Sequence, residues 1–217
     1  MLNQSWAEIF GEHLYHLADA QFDGPMAISM IGPPNEQAAL KEIVRATGLI
    51  AAYTTQDASR NHGYQWEHGT LELVRNYAIA NPDDIIMYAH TKGAHEPHLF
   101  NNYWRRSMEI ALVDRWKPNR NALHLGGYDA IGSYWLTPEY WTKKLKEKTG
   151  ADFGPTPYFG GNYWMATASY LRTLPKLIPS EDRFDAERWI GTNRPNVINM
   201  IDGWPGDNNF VDEAADT

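Results

Sequence analysis

The chain has 217 residues and a net charge of −8, with 43% hydrophobic and 21% charged residues. This composition is typical of a globular protein and excludes a disordered chain, and no apolar run reaches the roughly 18–20 residues that a membrane span needs. The acidic balance argues against a nucleic-acid backbone as partner, because such binding needs a concentrated basic face. The chain has no cysteine, which excludes disulfides and thiolate chemistry. Because no secretory signal precedes the first helix, we expect a cytoplasmic protein without a transmembrane segment.

Strand and helix signals alternate through the first half of the chain. Amphipathic spacing predicts three helices, over residues 5–20, 36–46 and 70–81. Short apolar runs predict three strands, over residues 26–31, 49–53 and 85–89. The last run is continuous, which is typical of a strand covered on both faces. This alternation predicts a layered α/β domain.

The second half of the chain is more irregular. Its patterns predict helices over residues 102–116 and 137–150, within residues 166–174 and over residues 185–189, and a last strand over residues 197–201. The start at Thr137 is a strong helix signal, since a capping hydroxyl is followed by Pro138 and the acidic Glu139. We predict one domain over residues 1–205 and an acidic, loose tail over residues 206–217.

The tetrapeptide His90-Thr91-Lys92-Gly93 directly follows the predicted strand 85–89. In open α/β sheets, ligands bind beyond the carboxyl ends of the strands, so a site is expected at this position. Lys92 can neutralise a diphosphate, Gly93 lets the backbone approach a ligand, and His90 can donate a hydrogen bond or bind a metal. The alternative is a strand-ending turn with solvated polar residues, and the spacing leaves both interpretations open.

Histidines are frequent near this tetrapeptide. His62 and His68 lie upstream of it. His90, His95 and His98 have a spacing that could hold a metal, but Pro97 interrupts a regular helix between them. We therefore favour scattered loop histidines over a metal centre.

Two further segments carry candidate binding groups. Arg105 and Arg106 follow the lysine on a predicted helix, where a guanidinium could bind phosphate or pair with Glu109 on the same helix. Residues 158–164 place four aromatic side chains around a Gly-Gly-Asn turn, which is either a sugar-binding surface or a hydrophobic plug.

Taken in order, these motifs resemble a family of small bacterial, viral and eukaryotic glycosyltransferase domains used in polysaccharide and glycan assembly. The matching segments are GTL at 69–71, IMYAHTKG at 86–93, WRRSM at 104–108, FGGNYWMA at 159–166, SYL at 169–171, LP at 174–175 and RFDAERWIG at 183–191. The resemblance implies a single-domain, Rossmann-like α/β/α sandwich of the GT-A type with a mixed, mostly parallel sheet. It also implies a nucleotide-diphosphate sugar as donor.

The chain departs from that family pattern in two respects. The Asp-x-Asp metal motif is not evident, and His-Thr-Lys occupies its place, which implies a metal-independent site. A divalent cation, Mn²⁺ or Mg²⁺, held by other groups remains an alternative, and the metal ligands are unknown. The chain also starts at a helix, so the first strand of the family fold is missing or displaced.

The resemblance implies transfer of a hexosyl or deoxyhexosyl unit from a nucleotide-diphosphate sugar to the hydroxyl of a glycan or other acceptor. The candidate residues are Glu187 and Asp129 for catalysis, His90, Thr91, Lys92, Gly93, Arg105 and Asn162 for the donor, and Tyr163, Trp164 and Trp189 for the sugar or acceptor. Either carboxylate could instead be structural, with Glu187 paired to Arg183. The rival hypotheses are a non-enzymatic carbohydrate-binding domain and a glycoside hydrolase.

Overall fold

The computed structural model describes residues 6–56, 67–92, 99–140, 147, 154–178, 182 and 184–203. In these residues the chain is a mixed α/β protein with helices around an open, mixed sheet. The helices are α1 (Trp6–Asp19), α2 (Pro34–Thr47), α3 (His68–Ala80), α4 (Leu99–Leu112), α5 (Trp116–Gly126), α6 (Ala168–Leu171) and α7 (Phe184–Trp189). The strands are β1 (Met26–Ile31), β2 (Ala51–Gln56), β3 (Ile85–Tyr88), β4 (Ala130–Gly132), β5 (Trp135–Leu136), β6 (Tyr158–Phe159), β7 (Trp164–Thr167) and β8 (Val197–Asn199).

The first two strands form a small parallel sheet of their own. Met26 pairs with Ala51, and the register continues to Ile31 and Gln56. Helix α2 crosses between these strands; a proline lies at its start and Gly48 ends it in the left-handed conformation. A separate cluster of buried side chains joins α1, β1 and α2: Phe10, Leu14, Ile28, Met30 and Val44. The elements predicted for this part of the chain are confirmed.

The main sheet has four strands in the order β3-β7-β4-β8. Strand β7 is antiparallel to both of its neighbours, and the pairing of β4 with β8 is parallel. The main sheet is therefore mixed, as predicted. The prediction that its strands pair mostly in parallel is wrong, because only the pairing of β4 with β8 is parallel. The physical reason is the turn at residues 160–162, which sends the chain back between β3 and β4.

Helices cover both faces of the main sheet. Side chains alternate along β3, so that Ile86 and Tyr88 pack with α3, α6 and α7, whereas Ile85 and Met87 pack with α4 and α5. Strand β7 follows the same rule, since Trp164 and Met165 belong to opposite clusters. The prediction of a strand covered on both faces is thus confirmed for β3.

One predicted helix differs from the structure. The helix predicted over 102–116 is wrong beyond residue 112, because α4 ends there and α5 begins at Trp116. Asn119 stabilises this break by donating to the carbonyl oxygens of Ala111 and Leu112, at 3.0 and 3.3 Å. The helix predicted within residues 166–174 is confirmed as α6, and Thr167, the last residue of β7, caps it by accepting a hydrogen bond from the backbone of Tyr170.

Several predictions fall on parts of the chain that the structure does not describe. Residues 204–217 contain the predicted tail, residues 93–98 contain Gly93 and two of the loop histidines, and most of the helix predicted over 137–150 is also outside. None of the helices within the described ranges is long and apolar enough to cross a membrane.

The turn at residues 81–84 makes α3 run opposite to β3. The first residues of α3 therefore lie at the end of the main sheet where β3 terminates, and we call this end of the strands the sheet edge. Strand β7 begins at the same edge, because it is antiparallel to β3 and pairs Trp164 with Tyr88. Segments that are distant in sequence meet at this edge, which is the location of the candidate site.

Candidate functional site

The carboxylate of Glu67 joins the segments that meet at this edge. It precedes the first residue of α3 and accepts hydrogen bonds from the Tyr88 hydroxyl, at 2.7 Å, and from the Asn162 side-chain amide. Its other oxygen lies 3.7 Å from Nδ1 of His90. The sequence analysis missed Glu67. The available signal was an acidic residue next to the helix start, but its partners follow only from the tertiary structure.

Asn162 is fixed in the turn that precedes β7. It is fully buried, and its φ of +55° lies in the left-handed region, which asparagine tolerates better than most residues. Its side chain donates to Glu67 and accepts from Nε1 of Trp164 at 2.8 Å. Both ends of the amide are therefore used to hold the turn against the sheet edge.

His90 contacts the same turn from the end of β3. Its Nε2 donates to the carbonyl of Gly161 at 2.9 Å, and its own carbonyl accepts from Nε2 of His13, at 3.0 Å, and from the Tyr163 hydroxyl. Burial lowers the pKa of His90, although the charge of Glu67 acts in the opposite direction. At neutral pH the ring is therefore neutral and serves to position the backbone of the His90-Thr91-Lys92 segment.

Lys92 carries the positive charge of this segment. Its ammonium nitrogen lies 4.3 Å from the centre of the Trp104 ring on α4, a cation–π contact, and Thr91 and Lys92 are both partly exposed. Of the predicted donor residues, the structure brings together His90, Thr91, Lys92 and Asn162.

Arg105 lies deeper, between α1 and α4. Its guanidinium is fully buried and pairs with Glu12, and its Nε lies 3.5 Å from an oxygen of Glu109. It also donates to Asn102 at 3.1 Å. The predicted pairing of an arginine with Glu109 is confirmed, and the two carboxylates already compensate the charge of Arg105.

The three predicted sugar-contacting rings are in the core. Tyr163, Trp164 and Trp189 are each at most 2% exposed. Trp164 stacks on Tyr88 with ring centres 5.1 Å apart, and the Trp189 ring lies 6.4 Å away from Trp164. Trp164 and Trp189 lie on the α3 and α7 side of the main sheet and Tyr163 on the α4 and α5 side, so these rings pack on both sides of the polar groups.

The two predicted catalytic carboxylates lie at different ends of the sheet. Glu187 is partly buried on α7, and its charge acts on the Tyr88 hydroxyl, whose pKa is raised chiefly by burial and then by Glu67. Asp129 precedes β4, at the opposite end from His90, and its carboxylate accepts from the backbone of Asn196 at 2.8 Å. Helix α7, which carries Glu187, packs beside the candidate site through the contact of Trp189 with Trp164, whereas Asp129 lies at the opposite end of the sheet.

A second group of ionisable side chains lies between α1 and α4. Glu12, His16 and Glu109 offer ligand atoms within 4.8 Å of one another, so they could hold a metal ion. Glu12 already binds both Arg105 and Arg106, so a metal ion would compete with two guanidinium groups. We call these five residues the α1–α4 charge cluster.

The fold and site define a mixed α/β protein whose polar groups converge where β3 ends, around the Glu67 carboxylate. The chain belongs to the family described as a domain of unknown function, DUF8361, which matches residues 2–213. No curated protein and no solved structure matches the chain.

Proposed function

We propose that the chain is a glycosyltransferase of the GT-A type that moves a sugar from a nucleotide-diphosphate sugar to a hydroxyl of a glycan. The observation that carries the proposal is the meeting of the His90-Thr91-Lys92 segment with the Gly160–Asn162 turn around Glu67. Both segments belong to the motifs that resemble the glycosyltransferase family, and they are about 70 residues apart in sequence. The helices on both faces of the main sheet also support a layered α/β sandwich.

The proposed reaction is a single displacement at the anomeric carbon of the donor sugar. The acceptor hydroxyl loses its proton to a carboxylate, its oxygen bonds to the anomeric carbon, and the bond to the diphosphate breaks with the electron pair on the leaving group. Glu187 is the proposed base, because its helix α7 packs against Trp164 where β3 ends, whereas Asp129 lies at the opposite end of the sheet. One displacement of this kind inverts the anomeric configuration.

Lys92 is the group that we propose to stabilise the leaving diphosphate. Its charge is held at the sheet edge by the Trp104 ring, and it is partly exposed. Positive charge held in place before the reaction stabilises negative charge that grows in the transition state. This role for Lys92 assigns no step to Mn²⁺ or Mg²⁺, so we expect transfer to continue in excess chelator.

The test is a pair of matched lysine variants. Lys117 also lies over a tryptophan ring, with its nitrogen 5.4 Å from the ring centre of Trp116, but on the exposed side of α5. We expect Lys92→Met to weaken binding of the preferred nucleotide diphosphate about tenfold or more and to reduce transfer, and Lys117→Met to change neither. A panel of nucleotide sugars, screened by thermal shift and by release of nucleotide diphosphate, identifies the donor first. Full turnover by folded Lys92→Met protein would refute the role of Lys92.

A carbohydrate-binding domain without catalysis is the second candidate function. The buried ion pairs of Arg105 favour this candidate function. Arg105 was predicted to bind the diphosphate, but its guanidinium is already paired with Glu12 and Glu109. This candidate predicts binding of free glycans with no stabilisation by any nucleotide diphosphate. The same thermal-shift panel, extended with free oligosaccharides, distinguishes the two functions.

A further inference from the structure

Glu109, on α4, has a buried carboxylate that the fold does not satisfy. Its side chain is 0% exposed, and neither oxygen has a partner with hydrogen-bond geometry among the residues that the structure describes. Its Oε1 lies 2.6 Å from Nδ1 of His13, whereas its Oε2 lies 3.6 Å from Nε2 of His16. Buried polar groups in native proteins are almost always paired, and an exception calls for a bound ion, a water or a functional role. Oε2 of Glu109 is therefore an atom at which a ligand is expected.

The hydrogen bond on the other side of His16 determines what its Nε2 can do. Nδ1 of His16 lies 2.7 Å from a carboxylate oxygen of Asp114, and because that oxygen accepts, Nδ1 carries the proton. In a neutral imidazole the lone pair is then on Nε2, so Nε2 and Oε2 of Glu109 face each other as two electron-pair donors. A carboxylate that holds one nitrogen of a histidine, and leaves the other nitrogen for a cation, is the usual arrangement around metal ions in proteins.

The distance between these two atoms fits a metal ion better than a hydrogen bond. A charged imidazole would donate from Nε2 to a carboxylate oxygen at about 2.7–2.9 Å. The observed distance to Oε2 of Glu109 is 3.6 Å. Zinc binds nitrogen and carboxylate oxygen at about 2.0–2.2 Å, so two ligand atoms at tetrahedral angles lie about 3.3–3.6 Å apart.

Glu12 supplies a third ligand. It lies one helical turn before His16 on α1, and the ligand atoms of Glu12, His16 and Glu109 are within 4.8 Å of one another. Partial burial acts to raise the pKa of Glu12, but hydrogen bonds from Arg106 and Arg105 outweigh it and lower that pKa, so the carboxylate is ionised, as metal binding requires. Each carboxylate oxygen has two lone pairs, so it can accept from a guanidinium and still bind a cation. The side chains of Glu12 and His16 are 17% and 19% exposed, which gives an ion access from solvent.

We propose that Glu12, His16 and Glu109 form a binding site for one divalent transition-metal ion, with Zn²⁺ as the best fit. Imidazole combined with carboxylate suits Zn²⁺, whereas Mg²⁺ and Ca²⁺ prefer oxygen ligands alone. The ion joins α1 to α4 and has a structural role, so it takes no part in the proposed transfer reaction. The site is distinct from the Lys92 segment, and the inference does not depend on the proposed function.

The test titrates the chain, first freed of metal with a chelator, with Zn²⁺, Co²⁺, Mg²⁺ and Ca²⁺ in a calorimeter. We expect Zn²⁺ and Co²⁺ to bind at one ion per chain, at least about tenfold more tightly than Mg²⁺ or Ca²⁺. In His16→Asn the amide can still donate to Asp114 but offers no ring nitrogen, so Zn²⁺ should bind at least about tenfold more weakly. His124→Asn removes an exposed histidine of α5 and is the matched control, which should bind as the wild type does.

Removal of Arg106 gives a prediction in the opposite direction. Its side chain is 50% exposed, its Nε lies 2.7 Å from an oxygen of Glu12, and its charge repels a metal ion. We expect Arg106→Met to bind Zn²⁺ about two- to fivefold more tightly than the wild type. A cluster that serves only as a set of ion pairs predicts no such gain.

Thermal stability provides a second readout. Zn²⁺ should raise the melting temperature of the wild type by at least about 3 °C and leave that of His16→Asn unchanged. If His16→Asn does not fold, His16→Gln takes its place, and if neither folds, the wild-type and Arg106→Met titrations decide. Absence of Zn²⁺ binding, equal affinity for Mg²⁺, or unchanged Zn²⁺ affinity in a folded His16 variant or in Arg106→Met overturns the inference. No nucleotide or sugar is present in these titrations, so their outcome leaves the proposed function untouched.

Discussion

At the residue scale, Asn162 combines a left-handed backbone with two side-chain hydrogen bonds in a fully buried position. Two substitutions separate these contributions. Asn162→Gly relieves the backbone but leaves Nε1 of Trp164 and the carboxylate of Glu67 without this partner, whereas Asn162→Ala also adds backbone strain. We expect losses of about 2–4 kcal/mol for glycine, and about 1 kcal/mol more for alanine, in urea unfolding. Equal losses would show that the left-handed conformation costs nothing here.

A second residue-scale prediction concerns pH. Burial lowers the pKa values of His68 and His90 below the ordinary value of 6.5, so the unfolded chain binds protons more readily than the folded protein. Their contribution to stability is complete above that ordinary value and is lost as the pH falls below it. We expect the free energy of unfolding to decrease from pH 7.5 to pH 5.5. His68→Phe should show a shallower decrease, measured by urea unfolding at each pH, and an unchanged slope would contradict the assignment.

Residues of the candidate site could be predicted from the sequence where their motif directly follows a recognisable strand. His90, Thr91 and Lys92 were predicted at the end of a strand, and the structure places them there with Asn162 close by. The ion pair of Arg105 with Glu12 joins residues 93 apart in sequence, so no local pattern indicates it. Glu67 was missed for the same reason, because its importance depends on groups brought near by folding. His68 was predicted as a loop histidine, but it is the first residue of α3.

At the element scale, the ion pairs of the α1–α4 charge cluster connect helix α1 to helix α4. Glu12 binds the fully buried Arg105, so Glu12→Gln would leave a buried cation with less compensation. We expect this variant to lose about 3 kcal/mol of stability. Glu42→Gln is the matched control: it breaks the pair with Arg45 on α2, whose side chains are 63% and 80% exposed, and it should lose less than about 0.5 kcal/mol. Chemical denaturation of both variants makes the comparison, and similar losses would refute it.

The short elements explain why the second half of the chain was harder to predict. Strand β4 has three residues and β7 has four, too few for an alternating pattern to develop. The run Trp164-Met165-Ala166-Thr167 has no turn signal after it, so the sequence continues smoothly from strand into helix α6. Longer elements such as α1 and α2 show their period over several turns and were predicted well.

At the scale of the whole molecule, the small parallel sheet is the part with least support. Strands β1 and β2 pair only with each other in the described part of the chain, and one small cluster of side chains covers them. Two-stranded sheets are marginally stable, so we expect β1 and β2 to open without the main sheet. Native-state hydrogen exchange should be at least about tenfold faster for their amides than for those of β7. Helix α1 should stay protected because of its ties to α4, and uniform protection would contradict this prediction.

The central place of β7 also governs how the chain can assemble during its synthesis. Strand β3 ends at residue 88 and β7 ends at residue 167, so about 80 residues leave the ribosome before β3 gains its partner. At about 5–20 residues per second, this delay lasts roughly 4–16 s. Strand β3 lacks a partner throughout that time, and β4, once it is made, also has no strand between it and β3. The nascent chain is then most exposed to wrong partners and chaperones, until β7 joins β3 to β4 and β8 is added to β4 last.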